Sequence, residues 1–393
     1  MNKTNLIIDF SNIAMRALFT CSYSGAGEVS TFDTDRECEI LVRKICMDMA
    51  YVTRIFAPDR IIIACDARHP WRNDLYDPNE DEGYKSNRVK DNTKNWDKIF
   101  RTLNELKEIL KEKDFIVTEI PTAEGDDVAA LWKKNCMIEN SENIVLVSSD
   151  KDWTQLVEFN KGNSKFCICF NPISNNKGKK KLYCTQDLFD WMNAESKTDI
   201  FFTNYNTNKE ELKNIKSKDN KIDYEIINPN KVVLEKIFCG DDGDNAPAFY
   251  QYYKDGKKTR ITPKKAEKIC EDLNILTVKD LCECNDVNML KPKIESVLKK
   301  DLDIDINERL TRQRKLVELN PELFPNEIDS AFKYHLKDSV DKGYIKHTYD
   351  MKMDYILKDT KFLSPDYNKP KENEIFTSLK DLDNILATSK NLF

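Results

Sequence analysis

Three apolar, β-branched runs along the chain each lead to aspartate. Leu6-Ile7-Ile8 precedes Asp9, Ile61-Ile62-Ile63-Ala64-Cys65 precedes Asp66, and Ile144-Val145-Leu146-Val147 precedes Ser148-Ser149-Asp150. Unbroken apolar runs of this length suit strands covered on both faces, the condition of a parallel sheet. Between them the spacing of apolar positions becomes helical. Ile40, Leu41, Ile45, Met49, Val52 and Ile55 form one stripe, and Trp96, Ile99, Phe100, Leu103, Leu106, Ile109 and Leu110 form another. Phe115 to Ile120 predicts a further strand. Strands alternating with amphipathic helices indicate an α/β fold, a mostly parallel central sheet flanked by helices.

From about Ala194 to Asp223 the pattern dissolves into Asn, Lys, Thr and Asp, which predicts a polar, mobile surface insertion. Beyond Pro229 the spacing is helical to near residue 360. Pro365 to Glu374 reads as a linker, followed by an amphipathic tail marked by Ile375, Phe376, Leu379, Leu382, Ile385 and Leu386. The expected division is an α/β core over 1–193, the insertion over 194–223, a helical subdomain over 224–364, and linker plus tail over 365–393.

Composition narrows the class. Charged residues make up 33% of the 393, and no apolar run approaches the roughly 20 residues that span a bilayer. The first residues lead directly into a strand-like run, so no signal peptide is expected. The twelve cysteines include no C-x-x-C, and His69, His335 and His347 are the only histidines. Reduced thiols and a cytoplasmic location follow, and zinc is disfavoured. A net charge of −6 does not exclude a polyanionic partner, because phosphate binding depends on local clusters. Lys177 to Lys181 is one cluster; Lys254, Lys257, Lys258, Arg260, Lys264, Lys265 and Lys268 make another.

In an open α/β sheet the functional site lies beyond the carboxyl ends of the strands. That rule brings Asp9, Asp66 and Asp150 to one edge. Glu124-Gly125-Asp126-Asp127 adds three carboxylates at the start of a helix, and Asp152 follows Asp150 closely. Acids at a helix start are also explained by capping. Seven converging acids, however, would repel one another strongly unless cations neutralised them. Hard oxygen ligands suit two hydrated Mg²⁺ or Mn²⁺ ions, a standard device for phosphodiester cleavage. Gly240-Asp241-Asp242-Gly243-Asp244-Asn245 is a further acidic motif, composed like a turn and set just before the second basic cluster.

The order of Asp9-Phe10-Ser11-Asn12, Asp66, Tyr84-Lys85-Ser86-Asn87-Arg88, Glu124 to Asp127, Ser149 to Asp152 and Gly240 to Asn245 resembles the 5′-nuclease family. That family comprises flap endonucleases, the 5′-nuclease domain of bacterial DNA polymerase I and phage enzymes of the RNase H type; the T-even phage type is the nearest in look. The resemblance spans roughly residues 1–320. It implies a PIN-like core, a helical arch near 68–95 and a C-terminal helix–three-turn–helix element. It further implies that Asp9, Asp66, Glu124, Asp126, Asp127, Asp150, Asp152, Asp241 and Asp244 hold two Mg²⁺ or Mn²⁺ ions. By the same likeness Lys85 and Arg88 are catalytic, steering the scissile phosphate and stabilising its developing charge. Tyr84 is placed to stack on an unpaired base, and Arg72 to touch phosphate.

The duplex-binding element is matched by Arg260-Ile261-Thr262-Pro263-Lys264-Lys265, with Lys257 and Lys258 just before it. Here the chain departs from the family's glycine-rich turn, Tyr250 to Thr259 look inserted, and Pro78 to Gly83 form an acidic insertion in the arch. The implied activity is 5′-to-3′ hydrolysis at 5′ ends or flaps of DNA and at RNA primers in RNA–DNA hybrids during replication. The implied partners are branched or nicked DNA and RNA–DNA hybrid, with the enzyme a monomer in the cytoplasm, or the host cytoplasm for a phage protein. The tail, with Phe376 and Leu392-Phe393, is a candidate contact for a single-strand-binding protein or sliding clamp. A PIN-type ribonuclease and a non-catalytic nucleic-acid-binding scaffold are the alternatives. An aspartyl-nucleophile phosphatase is disfavoured, because Ser11 stands where a second acid is needed.

Overall fold

The computed structural model describes residues 3–22, 30–76, 83–88, 91–173, 179–194, 222–254, 257–286, 288–346 and 348–363; the side chains of 253, 254, 257 and 258 are outside that description. Its centre is an eight-stranded sheet. The strands are β1 (Thr4–Asp9), β2 (Arg60–Cys65), β3 (Ile116–Glu119), β4 (Asn143–Val147), β5 (Glu158–Asn160), β6 (Lys165–Asn171), β7 (Lys180–Cys184) and β8 (Ile222–Ile226). They lie in the order β3-β2-β1-β4-β6-β7-β8, with β5 paired to β6. The five strands from β3 to β6 are mutually parallel, whereas β7 and β5 run antiparallel to β6.

Each central strand divides its side chains between two cores. Leu6 and Ile8 face the core built with α1 (Phe10–Ser22), α2 (Asp35–Phe56) and α3 (Trp96–Glu112). Ile7 faces the opposite core, built with α4 (Gly125–Lys133). The same alternation separates Ile61 and Ile63 from Ile62 and Ala64. Both faces are therefore covered, as the unbroken apolar runs require. Helix α2 starts at a capping box in which Thr34 accepts the Glu37 N–H at 3.2 Å and Glu37 accepts the Thr34 N–H at 2.9 Å. Cys167 and Cys169 are the α4-side residues of β6, alternating with Phe166, Ile168 and Phe170. Their spacing is that of a strand.

The remaining elements are α5 (Gln186–Ala194), α6 (Pro229–Cys239), the hairpin of β9 (Gln251–Lys254) and β10 (Lys257–Arg260), α7 (Pro263–Asp272), α8 (Val278–Asp286), α9 (Leu290–Leu298), α10 (Ile306–Val317), α11 (Asn326–Ser339) and α12 (Met353–Leu357). Residues 233–317 share a third core of their own. Beyond it the chain returns to the sheet. Phe324, Ile328 and Phe332 join the α4 side, where Phe332 meets Trp132 edge-on at 5.3 Å. Met351, Ile356, Leu357 and Phe362 join the α2 side. The helical unit thus closes near Val317 and does not continue to 364 as the spacing suggested. Its start differs too, because β8 extends the main sheet, and the β9–β10 hairpin interrupts the expected run of helices. The 365–393 linker and tail lie outside the described residues, as do 195–221 of the polar insertion and 78–82 of the arch insertion. No described helix is long and apolar enough to cross a membrane.

Candidate active site

The chain moves outward from β1 to β2 and β3 on one side, then from β4 to β6 on the other. The crevice between β1 and β4 is the topological switch point, where ligands of such sheets bind. Asp9 closes β1 and pairs in register with Ala64, so Asp66 lies two residues along the exit of β2. Ile8 pairs with Val147, which sets Ser148 level with Asp9. Ser148 Oγ donates to Asp9 Oδ2 at 2.7 Å, and the Asn12 N–H donates to Oδ1 at 2.9 Å. Asn12 Oδ1 in turn accepts from the Ser149 N–H and hydroxyl, at 3.1 and 2.9 Å, binding the start of α1 to the exit of β4. The Asp152 N–H donates to Asp150 Oδ1 at 2.9 Å. Asp66 Oδ1 accepts the Gly125 N–H at 2.6 Å, at the positive end of α4.

These carboxylates lack sufficient positive charge. Burial, followed by Asp66, pushes Asp9 up to about 7. Burial, with Glu124 and Asp150 beyond it, holds Asp126 well above the usual carboxylate range. Asp152 is also pushed up to about 7 by burial and Asp150, although Lys236 touches it. Among the described residues no three acids lie close enough to grip one ion by themselves. An all-oxygen donor set, over-supplied with negative charge and spaced beyond direct chelation, fits hard divalent ions that keep most of their water. The donors fit.

A second wall faces this edge. Gly240 to Asn245 form a tight turn closed by paired backbone hydrogen bonds between Asp241 and Ala246, at 2.9 and 2.8 Å. Residues 83–88 dock against it. The Lys85 N–H donates to the Asp244 carbonyl at 2.9 Å, Asn87 Nδ2 donates to the Asp242 carbonyl at 2.6 Å, and Asn245 Nδ2 donates to the Gly83 carbonyl at 2.8 Å. Side chains complete the contact: Arg88 pairs with Asp244 at 2.7 Å, Tyr84 donates to Glu124 at 2.6 Å, and Lys85 bridges Glu124 and Asp244. Lys85 has a positive φ of 54°, an uncommon backbone state for a side chain of this size.

Residues 4–183 match the model of the 5′-3′ exonuclease N-terminal, resolvase-like domain. Those residues therefore belong to the 5′-3′ exonuclease family. Solved structures share the fold over more of the chain. The bacteriophage T5 D15 protein co-crystallized with metal ions is 16% identical, with a TM-score of 0.51 over 86% of this chain and 99% of that one. A T5 5′-exonuclease structure with bound zinc is likewise 16% identical, with a TM-score of 0.50 over 86% and 100%. A T5 D15 flap endonuclease pseudo-enzyme–product complex with DNA and metal ions is 17% identical, with the same TM-score and coverage. At such identities the likeness is one of fold. No curated protein sequence matches the chain.

Two expected site residues sit elsewhere than sequence suggested. Arg72 is not at the surface: it is 2% exposed, and its guanidinium is fully engaged inside. It donates to both oxygens of Asp127 at 2.9 and 2.7 Å, to Glu124 at 3.0 Å, and through Nε to the Leu316 carbonyl at 3.1 Å. A phosphate has no path to it. Asp127 is 0% exposed, and its Oδ2 also accepts from Trp71 Nε1 at 3.0 Å and from the Glu124 N–H at 3.1 Å, which encloses the carboxylate in protein donors. Arg72 and Asp127 form a buried strut between α4 and α10, and Asp127 is withdrawn from the metal set. Tyr84 turns its hydroxyl to Glu124 and Asp244, while its ring lies 5.7 Å from that of Tyr76.

The basic strip is only partly described. Arg260 is taken up by a bidentate pair with Asp242, at 2.5 and 2.6 Å. Lys264 is exposed and Lys265 half-buried on the first turn of α7. The Lys257 and Lys258 side chains lie outside the described residues. Sequence reasoning missed Lys236, in the last turn of α6, which reaches both Asp152 and Asp241. It also gave no role to Asn12 or Ser148. The only signal for Lys236 was its place one helical turn before Gly240.

Proposed function

We propose that this chain is a divalent-ion-dependent, structure-specific 5′-to-3′ nuclease. Its substrates are 5′ ends and flaps of branched or nicked DNA, and RNA primers in RNA–DNA hybrids during replication. The observation that carries this reading is the edge between β1 and β4, where Asp9, Asp126 and Asp152 are held above the carboxylate range chiefly by burial and by neighbouring acids. Such a cluster calls for added cations, and cations held at a switch point attract phosphate. The family of residues 4–183 supports the 5′ polarity, and T5 relatives of the same fold that hold metal ions or DNA support the ligand classes.

Two Mg²⁺ or Mn²⁺ ions bound here would supply water activation and stabilisation of the departing 3′ oxygen. Asp9, Asp66, Glu124, Asp126, Asp150, Asp152, Asp241 and Asp244 are the acids that would hold them, largely through retained water. Ser148 and Asn12 keep Asp9 oriented. Lys85 and Arg88, now resting on Asp244, are close enough to turn toward a scissile phosphate and stabilise its charge. Lys257, Lys258, Arg260, Lys264 and Lys265 are assigned to duplex phosphates flanking the cut. Hydrolysis leaves a 5′-phosphate and a 3′-hydroxyl. The enzyme is proposed to act as a cytoplasmic monomer, with its tail as the segment for a single-strand-binding protein or sliding clamp.

The test is cleavage of an end-labelled 5′-flap duplex and an RNA–DNA hybrid in Mg²⁺ or EDTA, with Asp150→Asn as control. Mg²⁺-dependent release of short 5′ fragments by the wild type alone is expected. Binding without cleavage in Mg²⁺ and Mn²⁺ would transfer the assignment to a scaffold, and cleavage confined to single-stranded RNA to a PIN-type ribonuclease.

A further inference from the structure

The acids of the site differ in their cations, with Glu124 and Asp244 already held by Lys85 of the 83–88 segment. Asp9, Asp66, Asp126 and Asp150 have no lysine or arginine ion pair among the described residues. Asp152 and Asp241 share one: the Lys236 ammonium contacts a carboxylate oxygen of each. Its position is fixed from three sides. Asp152 comes from the turn after β4, Asp241 from the turn after α6, and Lys236 from α6 itself. All three side chains are mostly buried, at 19%, 22% and 16% exposure.

One ammonium does not satisfy both partners. Two carboxylates thus share a single positive charge, and the space between them is already taken.

We propose that Lys236 is a resident counter-cation, which a divalent ion must displace before it can engage Asp152 and Asp241. The lysine stabilises the metal-free enzyme by holding the 240–245 turn against the α/β core. It also weakens ion binding on that side of the site relative to the lysine-free side. Lys236 is thus a positioning residue whose charge sets the ion concentration at which the site fills. This inference rests on the divalent-ion dependence proposed above. Mutual exclusion of two ligands is a coupling free energy, and a coupling of ordinary size shifts affinity several-fold to a hundredfold.

The experiment compares wild type, Lys236→Met and Lys236→Arg, free of nucleic acid, by thermal unfolding in EDTA and across a MnCl2 titration. Bound Mn²⁺ is counted in parallel by electron paramagnetic resonance. Lys236→Met should melt below wild type in EDTA, yet its weaker class of Mn²⁺ sites should tighten by roughly tenfold. Lys236→Arg should keep the wild-type order of both. Equal Mn²⁺ affinity in wild type and Lys236→Met, whatever their melting temperatures in EDTA, would overturn the proposal and leave a plain salt bridge. Absence of any Mn²⁺ binding or shift in the wild type would instead overturn divalent-ion dependence itself, and this inference with it.

Discussion

Arg72→Met tests whether the arginine beside the arch is a buried strut or a phosphate contact. The substitution keeps most of the side-chain length and removes the charge. It strips Asp127 of two hydrogen bonds and Glu124 of one, and it leaves the Leu316 carbonyl without its donor. Breaking a buried ion pair from one side costs about 3–5 kcal/mol, because the remaining charge stays buried and unpaired. Asp127 keeps the Trp71 and Glu124 N–H donors, so the lower half of that range is the better expectation. At roughly 2 °C per kcal/mol, the low end for larger domains, melting should fall by about 6–8 °C. The assay is thermal unfolding in EDTA, with Asp127→Leu and the double variant completing a cycle. The double variant should recover much of the loss, since replacing both partners removes the stranded charge. A phosphate contact behaves oppositely: melting unchanged, duplex affinity lower, and the salt dependence shallower by about one counterion. Melting of Arg72→Met within about 1 °C of wild type would refute the strut.

Other perturbations follow from the same site. Asp9 and Asp152 titrate near 7 when folded, against roughly 3.9 when unfolded. The folded chain thus holds more protons between those values, and metal-free stability from these groups falls as pH rises from about 4 to 7. Melting in EDTA should therefore drop across the upper part of this window, and Asp9→Asn should flatten that slope; an unchanged slope in the variant would contradict the assignment. Lys85→Ala should lower single-turnover cleavage on the order of a hundredfold while changing substrate affinity much less. A loss confined to affinity would reduce Lys85 to a positioning role. Gly240 has φ 74° and ψ −165°, a region open essentially to glycine, and a Cβ there would overlap the Ala246 and Pro247 backbone. Gly240→Ala should destabilise by at least about 2 kcal/mol and weaken Mn²⁺ binding, read by urea unfolding and ion titration; wild-type values for both would show that the turn is not required.

The central strands were legible because burial on both faces leaves only apolar residues, so the aspartates that end each run stand out. β6, with Phe166-Cys167-Ile168-Cys169-Phe170, is equally apolar but ends without an aspartate, and the strands beyond it send no such signal. β7 is Lys180-Lys181-Leu182-Tyr183-Cys184 and β8 is Ile222-Asp223-Tyr224-Glu225-Ile226, sequences whose strand state depends on pairing with neighbours. The β9–β10 hairpin is similar, since its lysines and tyrosines do not mark a buried face. Lys236 was unreadable for a different reason. It is one of many lysines, and only the fold brings it to Asp152, which lies in another segment of the chain.

Asp126 and Asp127 show where sequence reasoning stops. Both stand in the first turn of α4, and both are explained equally well by capping or by ion binding. The helix itself separates them. One residue of rotation puts Asp127 at the third position, from which its carboxylate reaches back to the Glu124 N–H and inward to Arg72 and Trp71. Asp126, one step earlier, has no such partner among the described residues, and burial, followed by Glu124 and Asp150, raises it. The capping explanation therefore accounts for Asp127, whereas for Asp126 ion binding stands as the proposal. Composition could not divide them, because the deciding partner, Arg72, lies more than fifty residues away and was itself expected at the surface. A charged residue is exposed by default, and only a buried acid of matching geometry overrides that default.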